Sequence, residues 1–173
     1  MKRILIVIGV LVALVAVAWL AGSLLPREHR ATSQITLSRP PEEVWMVVRD
    51  LAALKGTWPE LTEAVQGADS VGREIWHEKI DGFDMRLLVT EATPMTRLVT
   101  LIQSPPGASF GGRWIYQLDA VGTGTKVTVT EDGWVANPLF RLMSKLGGQH
   151  GNIDGYLTAL GKHFGEPVHP EHL

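Results

Sequence analysis

The chain has 173 residues, which is enough for one domain with a substantial hydrophobic core and a short appendage. Its 16 basic and 18 acidic side chains give a formal net charge of -2, so the composition offers no basic surface for nucleic acid. The absence of cysteine from the sequence excludes disulfides, thiolate catalysis and cysteine-ligated metal centres.

The N-terminal segment predicts a membrane anchor. Residues 1–3 are a short basic start, and residues 4–25 carry no charge. A helix of about 20 such residues spans a bilayer core of about 30 Å. The alternative is a cleavable signal peptide, with a small-residue cleavage site at residues 21–23 and an apolar region that is usually shorter, about 7 to 15 residues. We expect an uncleaved, single-pass anchor that leaves the domain on the outer, periplasmic or extracellular, side of the membrane.

The next segments predict a linker and then a folded domain. Residues 26–30 are charged and are assigned to a linker, and residues 31–166 to the domain. Within it, residues 31–38 alternate as a strand does, and Pro41 opens a short helix whose first turn is acidic. Residues 167–173 contain two prolines and two histidines and are expected to form a flexible tail.

A first hairpin is registered by its turn. Asp81-Gly82 is a favoured two-residue turn, and it places Glu78 opposite Met85 and Trp76 opposite Leu87. One face of this hairpin is then apolar, and the other pairs opposite charges.

A second hairpin follows from Gly122-Thr123, with glycine at the first central position of the turn. This register places Tyr116 opposite Val129. A strand between the two hairpins is predicted to give Val99 and Leu101 to the inner face. A slip of one residue would invert these assignments, because side chains alternate between the two faces of a strand.

The C-terminal region predicts one long amphipathic helix over residues 138–164. Its apolar side chains recur three or four places apart, and His150 falls on the same stripe. Glycines at 147, 148 and 151 admit a kink that would let residues 139–146 act as a gate. The alternative is close packing of this segment against the sheet or the bilayer.

The order of elements and one motif resemble a known superfamily. The motif is SRPPEEVW at residues 38–45, followed by Asp50 and by Trp58-Pro59. It is similar to the polyketide cyclase/dehydrase-like (SRPBCC) group of the START-like superfamily, which has the Bet v 1-type helix-grip fold. The resemblance covers roughly residues 31–166. It implies an α+β fold in which about seven antiparallel strands curve around the C-terminal helix and enclose a cavity for a hydrophobic small molecule.

The registers, the helix period and this resemblance together predict the side chains around such a cavity. The tryptophans among them could instead simply fill a core. The predicted cavity residues are Trp58, Trp76, Glu78, Met85, Leu87, Val99, Leu101, Trp114, Tyr116, Val129, Glu131, Leu146, His150 and Ile153.

Four of these side chains are polar. A buried carboxylate costs several kcal/mol unless it is partnered, so Glu78 and Glu131 either line a wet cavity or point to water from strand ends. Glu131, His150 and Tyr116 are candidate acid–base groups, although a hydrogen-bonded structural role is the alternative for His150. No catalytic motif of the family is identifiable. The remaining histidines show no spacing with carboxylates that indicates a metal site, and no cofactor is predicted.

Three functions are compatible with the sequence. The first is a membrane-anchored module that binds a lipid or a polycyclic, polyketide-like molecule. The second is an enzyme of the cyclase/dehydrase type. The third is a ligand-free interaction domain of the cell envelope.

Overall fold

A computed structural model describes residues 2–173 of the protein. The elements follow in the order α1 (Lys2–Ser23), β1 (Glu28–Leu37), α2 (Pro41–Arg49), β2 (Leu61–Ala68), β3 (Glu74–Ile80), β4 (Phe83–Thr93), β5 (Arg97–Ile102), β6 (Phe110–Val121), β7 (Gly124–Val135), α3 (Pro138–Gly147), α4 (Gly151–His163) and β8 (Glu171–His172).

All the strands belong to one antiparallel sheet in the order β2-β3-β4-β5-β6-β7-β1-β8. The C-terminal helix α4 packs against β1 and β7 on the concave face of this sheet. The α+β class and the helix-grip architecture predicted from the sequence are confirmed. The sheet has eight strands, one more than expected, because the short β8 adds to the edge of β1.

The two hairpin registers agree with the sequence prediction. Glu78 pairs with Met85, and Tyr116 pairs with Val129. In the first turn Asp81 and Gly82 both have positive φ, 51° and 79°, as a type I′ turn requires. The second turn has positive φ at Gly122, the first central position. Local turn chemistry therefore determines which face of four strands is buried.

The predicted inner face of β5 is wrong by one residue. Thr100 pairs with Trp114 and faces the concave side, whereas Leu101 is 38% exposed and Val99 faces the convex side with it. A β-bulge between Val89 and Glu91 in β4 shifts the pairing with β5, so alternation counted from the first hairpin fails. No turn motif marks this irregularity in the sequence.

The C-terminal segment forms two helices and not one. α3 begins at Pro138, and the Asn137 side chain caps it by accepting hydrogen bonds from two backbone N–H groups. α3 ends at Gly147, and Gly148 has φ of +94°, which L side chains rarely adopt. The chain then restarts as α4 at Gly151. The glycines therefore break the helix and do not merely kink it.

α4 supplies the centre of the hydrophobic core. Its Ile153, Leu157 and Leu160 are fully buried. They belong to the same cluster as Val127 and Val129 of β7, which are also fully buried. The predicted stripe on the C-terminal helix therefore anchors this half of the molecule.

Both ends of the domain are more regular than the sequence suggested. β1 begins at Glu28, so the segment assigned to a linker, residues 26–30, already contributes to the sheet. Residues 167–173, assigned to a flexible tail, turn back and pair with β1 through β8. The backbone N–H of Leu173 donates to the carbonyl oxygen of Thr32 at 3.0 Å. Free strand edges pair readily with extended chain, and nothing in the short tail sequence reveals this partner.

Candidate functional site

A cavity of about 470 Å³ lies between the concave face of the sheet and the helices α2, α3 and α4. This volume falls in the usual range for small-molecule pockets. The side chains around it are mainly apolar and aromatic, and a few polar groups stand among them.

Half of the predicted cavity residues line this space. They lie on strands whose registers follow from the two hairpin turns, or in the turn after α2. These residues are Trp58, Glu78, Met85, Leu87, Trp114, Tyr116 and Glu131.

The other predicted residues lie elsewhere. Val129 and Ile153 are fully buried where α4 meets the sheet directly, which leaves no space beside them. Trp76 packs in the core with its indole N–H on Glu74. Leu146 lies on α3, before the helix break at Gly148, and is 79% exposed.

Three more predicted residues are displaced from the cavity by backbone irregularities. Val99 and Leu101 lie on the other face because of the bulge in β4. His150 does not line the cavity; it is the residue that precedes α4, and its ring contacts Ser33 of β1. The helix break moves it off the stripe that an unbroken helix would have presented.

Sequence reasoning missed several lining residues. Tyr156 lies one turn after Ile153 on α4, so the helix period could have located it. His29 lies two residues before Ala31 on the same face of β1, but it was assigned to the linker. The bulge in β4 shifts the register of β5 by one residue, so Thr100 and Ile102 line the cavity in place of the predicted Val99 and Leu101.

Four aromatic rings form one wall of the cavity. Tyr156 of α4 meets Trp58, Trp114 and Tyr116 with ring centroids 5.7, 6.0 and 5.2 Å apart. These contacts are edge-to-face, the arrangement that aromatic quadrupoles favour. Helix α4, the turn after α2 and strand β6 are thus locked together. The faces and edges of these rings are suited to contact with flat rings or alkyl chains.

Glu78 is the most deeply buried carboxyl group of the cavity. Its residue is 8% exposed, and burial raises the pKa of this carboxyl to about 8. At neutral pH the group is therefore mostly a neutral acid. It can donate one hydrogen bond and accept others inside an apolar space.

Glu131 has a different environment from Glu78. Its Oε1 atom lies 3.3 Å from Nε2 of His29, and this hydrogen bond raises the pKa of the imidazole in spite of its partial burial. Oε2 is buried and has no hydrogen-bond partner within residues 2–173. The cavity thus contains one neutral acid and one carboxylate held by a histidine.

The two tyrosine hydroxyls complete the polar set. Burial raises the pKa of both Tyr116 and Tyr156, so both remain neutral phenols. The Tyr156 hydroxyl is buried and lacks a partner in the described part of the chain. Together with Oε2 of Glu131, it presents unused hydrogen-bonding capacity beside an apolar space.

The family described as polyketide cyclase/dehydrase and lipid transport matches residues 28–165, which include strands β1 to β7 and the residues around the cavity. The protein belongs to that family. No curated protein matches the chain in sequence.

Solved structures share the fold of this polyketide cyclase/dehydrase family member. TTHA0849, a protein from Thermus thermophilus, is 21% identical, with a TM-score of 0.61 over 78% of this chain and 96% of that one. The di-domain ARO/CYC protein BexL of the BE-7585A biosynthetic pathway is 15% identical, with a TM-score of 0.62 over 83% and 52%. A START superfamily protein from Mycobacterium smegmatis is 17% identical, with a TM-score of 0.58 over 76% and 94%. These identities show the fold alone.

Helix α1 lies outside the part that matches the polyketide cyclase/dehydrase family. It is long and apolar enough to cross a membrane, and a signal sequence near the N-terminus would pass the same test. Its C-terminal end packs on α3: a Cβ added at Gly22 would lie 1.9 Å from the carbonyl oxygen of Pro138. The Arg141 guanidinium donates to the carbonyl oxygen of Leu25 at 2.6 Å. Helix α1 therefore contacts α3, which forms one wall of the cavity.

Three large apolar side chains lie at the mouth of the cavity, which also includes exposed polar residues such as Asp50 and Asp81. Phe83 and Phe140, which line the cavity, are each about half exposed, and Met143 on the outer turn of α3 is more exposed still. Phe83 packs edge-on against Phe110 with centroids 5.7 Å apart. These side chains mark an opening beside the helix α3 that contacts α1.

Proposed function

We propose that this protein is a membrane-tethered START-like module that binds a hydrophobic small molecule in the cavity between the sheet and the C-terminal helices. The observation that carries the proposal is the combination of a largely apolar space of about 470 Å³ with buried polar atoms that lack partners in the described chain. A packed interior would leave no space, and a purely structural one would satisfy its polar atoms.

The polar atoms indicate the chemistry of the ligand. A buried hydroxyl without a partner costs about 1 to 3 kcal/mol, and a ligand with a hydrogen-bonding group would recover that cost. The phenol of Tyr156 and the neutral acid Glu78 can donate to a carbonyl or hydroxyl oxygen. Glu131 can accept from a hydroxyl through Oε2. The ligand is therefore a lipid or polycyclic molecule with an apolar body and a small oxygen-bearing head.

The tether explains the exposed surface of α3. Phe140, Met143 and Leu146 recur three residues apart on α3 and are exposed. The contact between α1 and α3 at Pro138 leaves these three side chains uncovered. An anchored α1 would hold this apolar face and the cavity mouth near the bilayer surface. We place the domain on the outer side, and a reporter fused after Leu173 tests this topology.

Retention of a small molecule tests the proposal. The full chain is purified in detergent, extracted with organic solvent and analysed by mass spectrometry. Ile102→Trp fills the cavity, and Leu101→Trp adds the same ring to the opposite face of β5 as a matched control. We expect a stoichiometric apolar molecule with the wild type and Leu101→Trp, and much less with Ile102→Trp. Empty protein in all three cases favours the ligand-free interaction domain.

The second function is an enzyme of the cyclase/dehydrase type. The pairing of His29 with Glu131 supports it, because a carboxylate beside a cavity can remove a proton next to a carbonyl group while the neutral Glu78 donates to the oxygen. Tyr116 remains a candidate donor, whereas His150 does not reach the cavity. Once a substrate is identified, Glu131→Gln tests this role, and unchanged turnover removes Glu131 from the mechanism.

A further inference from the structure

A second polar cluster lies outside the cavity, where α4, β1 and β8 meet. His150 and Asp154 come from the start of α4, one helical turn apart. Ser33 comes from β1, and its register partner in β8 is His172. None of the four lines the cavity. The docked C-terminal strand thus adds a second histidine to a histidine and a carboxylate on the helix.

Hydrogen bonds link the four side chains of the cluster to one another. The Ser33 hydroxyl donates to Oδ1 of Asp154 at 2.7 Å and lies 3.1 Å from Nδ1 of His150. Oδ2 of Asp154 accepts from Nε2 of His172 at 2.8 Å. Ser33 is fully buried, whereas the side chain of His172 is 54% exposed. The cluster is therefore held by the buried Ser33 on the side of the sheet and is open to solvent on the side of His172.

The buried serine determines the tautomer of His150. A carboxylate can only accept, so the single hydroxyl proton of Ser33 goes to Asp154. The contact between Ser33 and Nδ1 of His150 then needs the proton on Nδ1. The lone pair of the neutral imidazole lies on Nε2. A histidine held in this way by a hydrogen bond to its other nitrogen is typical of metal ligands.

We propose that His150, Asp154 and His172 bind a divalent transition-metal ion of the Zn²⁺ type. One ligand atom from each lies within 4.8 Å of the others. Two imidazole nitrogens and one carboxylate oxygen suit Zn²⁺, Co²⁺ or Ni²⁺ better than Mg²⁺ or Ca²⁺, which prefer oxygen ligands. Water would complete the coordination from the solvent side.

Binding requires a small rearrangement. The rings of His150 and His172 are stacked, with centroids 3.8 Å apart and planes 14° from parallel. Because nitrogen lone pairs lie in the ring planes, two parallel rings cannot both point at one ion. The exposed ring of His172 must turn out of the stack and release Oδ2 of Asp154 to the metal. His150 keeps its contact with Ser33.

The ion would tie the end of the chain to the start of α4. β8 has only two residues, and its side chains are exposed. A metal bound by His172 and by two residues of α4 would hold this strand and the break between α3 and α4 in place. An ion that binds only the folded state stabilises it, by an amount that grows with the logarithm of the ion concentration above the dissociation constant. The site does not depend on occupancy of the cavity.

Metal titration of the full chain in detergent tests the proposal. After chelator treatment, Zn²⁺ binding is measured with a competing indicator dye, and Co²⁺ binding by its visible absorption. The variants are His172→Ala and Asp154→Asn. His169→Ala removes an exposed histidine from the same tail, outside the cluster, and serves as the control.

We expect one equivalent of Zn²⁺ with the wild type and His169→Ala, and affinity reduced at least about tenfold in both other variants. Circular dichroism shows whether each variant is folded, and His172→Ala, on the exposed strand, is the safer of the two. The proposal is overturned if the wild type binds no stoichiometric metal. It is equally overturned if folded His172→Ala binds as tightly as the wild type. Neither result bears on the cavity ligand.

Discussion

The imidazole of His29 lies 3.3 Å from the carboxylate of Glu131, between the neighbouring strands β1 and β7 on the concave face of the sheet. Both side chains are mostly buried and line the cavity. The imidazole gives a hydrogen-bond partner to one oxygen of a carboxyl group that would otherwise face an apolar space without compensation. The second carboxyl oxygen, Oε2 of Glu131, has no partner in the described chain and is available to a ligand.

The first prediction concerns pH and His29. The hydrogen bond to Glu131 raises the pKa of this imidazole above its ordinary value of 6.5. The native state therefore binds the proton more tightly than the unfolded state. The stabilisation is fully present below about pH 6.5 and is lost as pH rises through the folded pKa. We expect the wild type to lose stability relative to His29→Asn as pH rises above 6.5 and through the raised pKa of the folded state. Urea unfolding followed by tryptophan fluorescence measures this, and parallel pH profiles would contradict it.

The second prediction concerns Glu78. Its folded pKa is about 8 against an ordinary value of 4.5, so the native state holds a proton that the unfolded state has released. This contribution is greatest below about pH 4.5, declines as pH rises and is lost above about pH 8, with a slope of at most about 1.4 kcal/mol per pH unit. Glu78→Gln preserves the size and removes the titration. Unfolding free energies at several pH values should show a flatter profile for the variant, and an equal slope would place the carboxyl in water.

The third prediction separates the ring of Tyr156 from its hydroxyl. Tyr156→Ala removes a buried ring from the aromatic wall and should cost about 3 to 5 kcal/mol. Tyr156→Phe removes only a hydroxyl without a partner in the described chain, so stability should stay the same or rise. Retention of the co-purified molecule should nevertheless fall. A large loss of stability in Tyr156→Phe would show that the hydroxyl is satisfied within the protein.

The fourth prediction tests the contact between α1 and α3. Gly22→Leu places side-chain atoms against the backbone of Pro138, so the two helices must separate. Overpacking of this kind costs about 1 to 3 kcal/mol, which corresponds to amide hydrogen exchange in α3 that is faster by a factor between about 5 and about 150. Gly9→Leu is the control, because nothing lies within 4 Å of a Cβ at that position. Exchange that is unchanged by Gly22→Leu would mean that α1 does not hold α3.

Local signals were sufficient for a large part of the fold. The Asp81-Gly82 and Gly122-Thr123 turns set two registers, and these placed Glu78, Tyr116 and Glu131 beside the cavity. A turn specifies its strands because the φ values that it needs occur within two adjacent residues. The apolar stripe of α4 was readable for a similar reason, since its period repeats within the helix.

The positions of several other side chains depended on features that no local signal marks. The bulge in β4 moved Thr100 to the inner face, and the break at Gly148 took His150 out of the predicted cavity. His172 came into contact with Asp154 only because the tail pairs with the far edge of β1.

The amino-acid sequence by itself therefore determined the family, the helix-grip class and the faces of the hairpin strands, because each depends on neighbours along the chain. Only the tertiary structure decided which polar groups share a cavity and which meet at the edge of the sheet. His29 and Glu131 are 102 positions apart, and Ser33 and His150 are 117 positions apart, so no local pattern records these contacts.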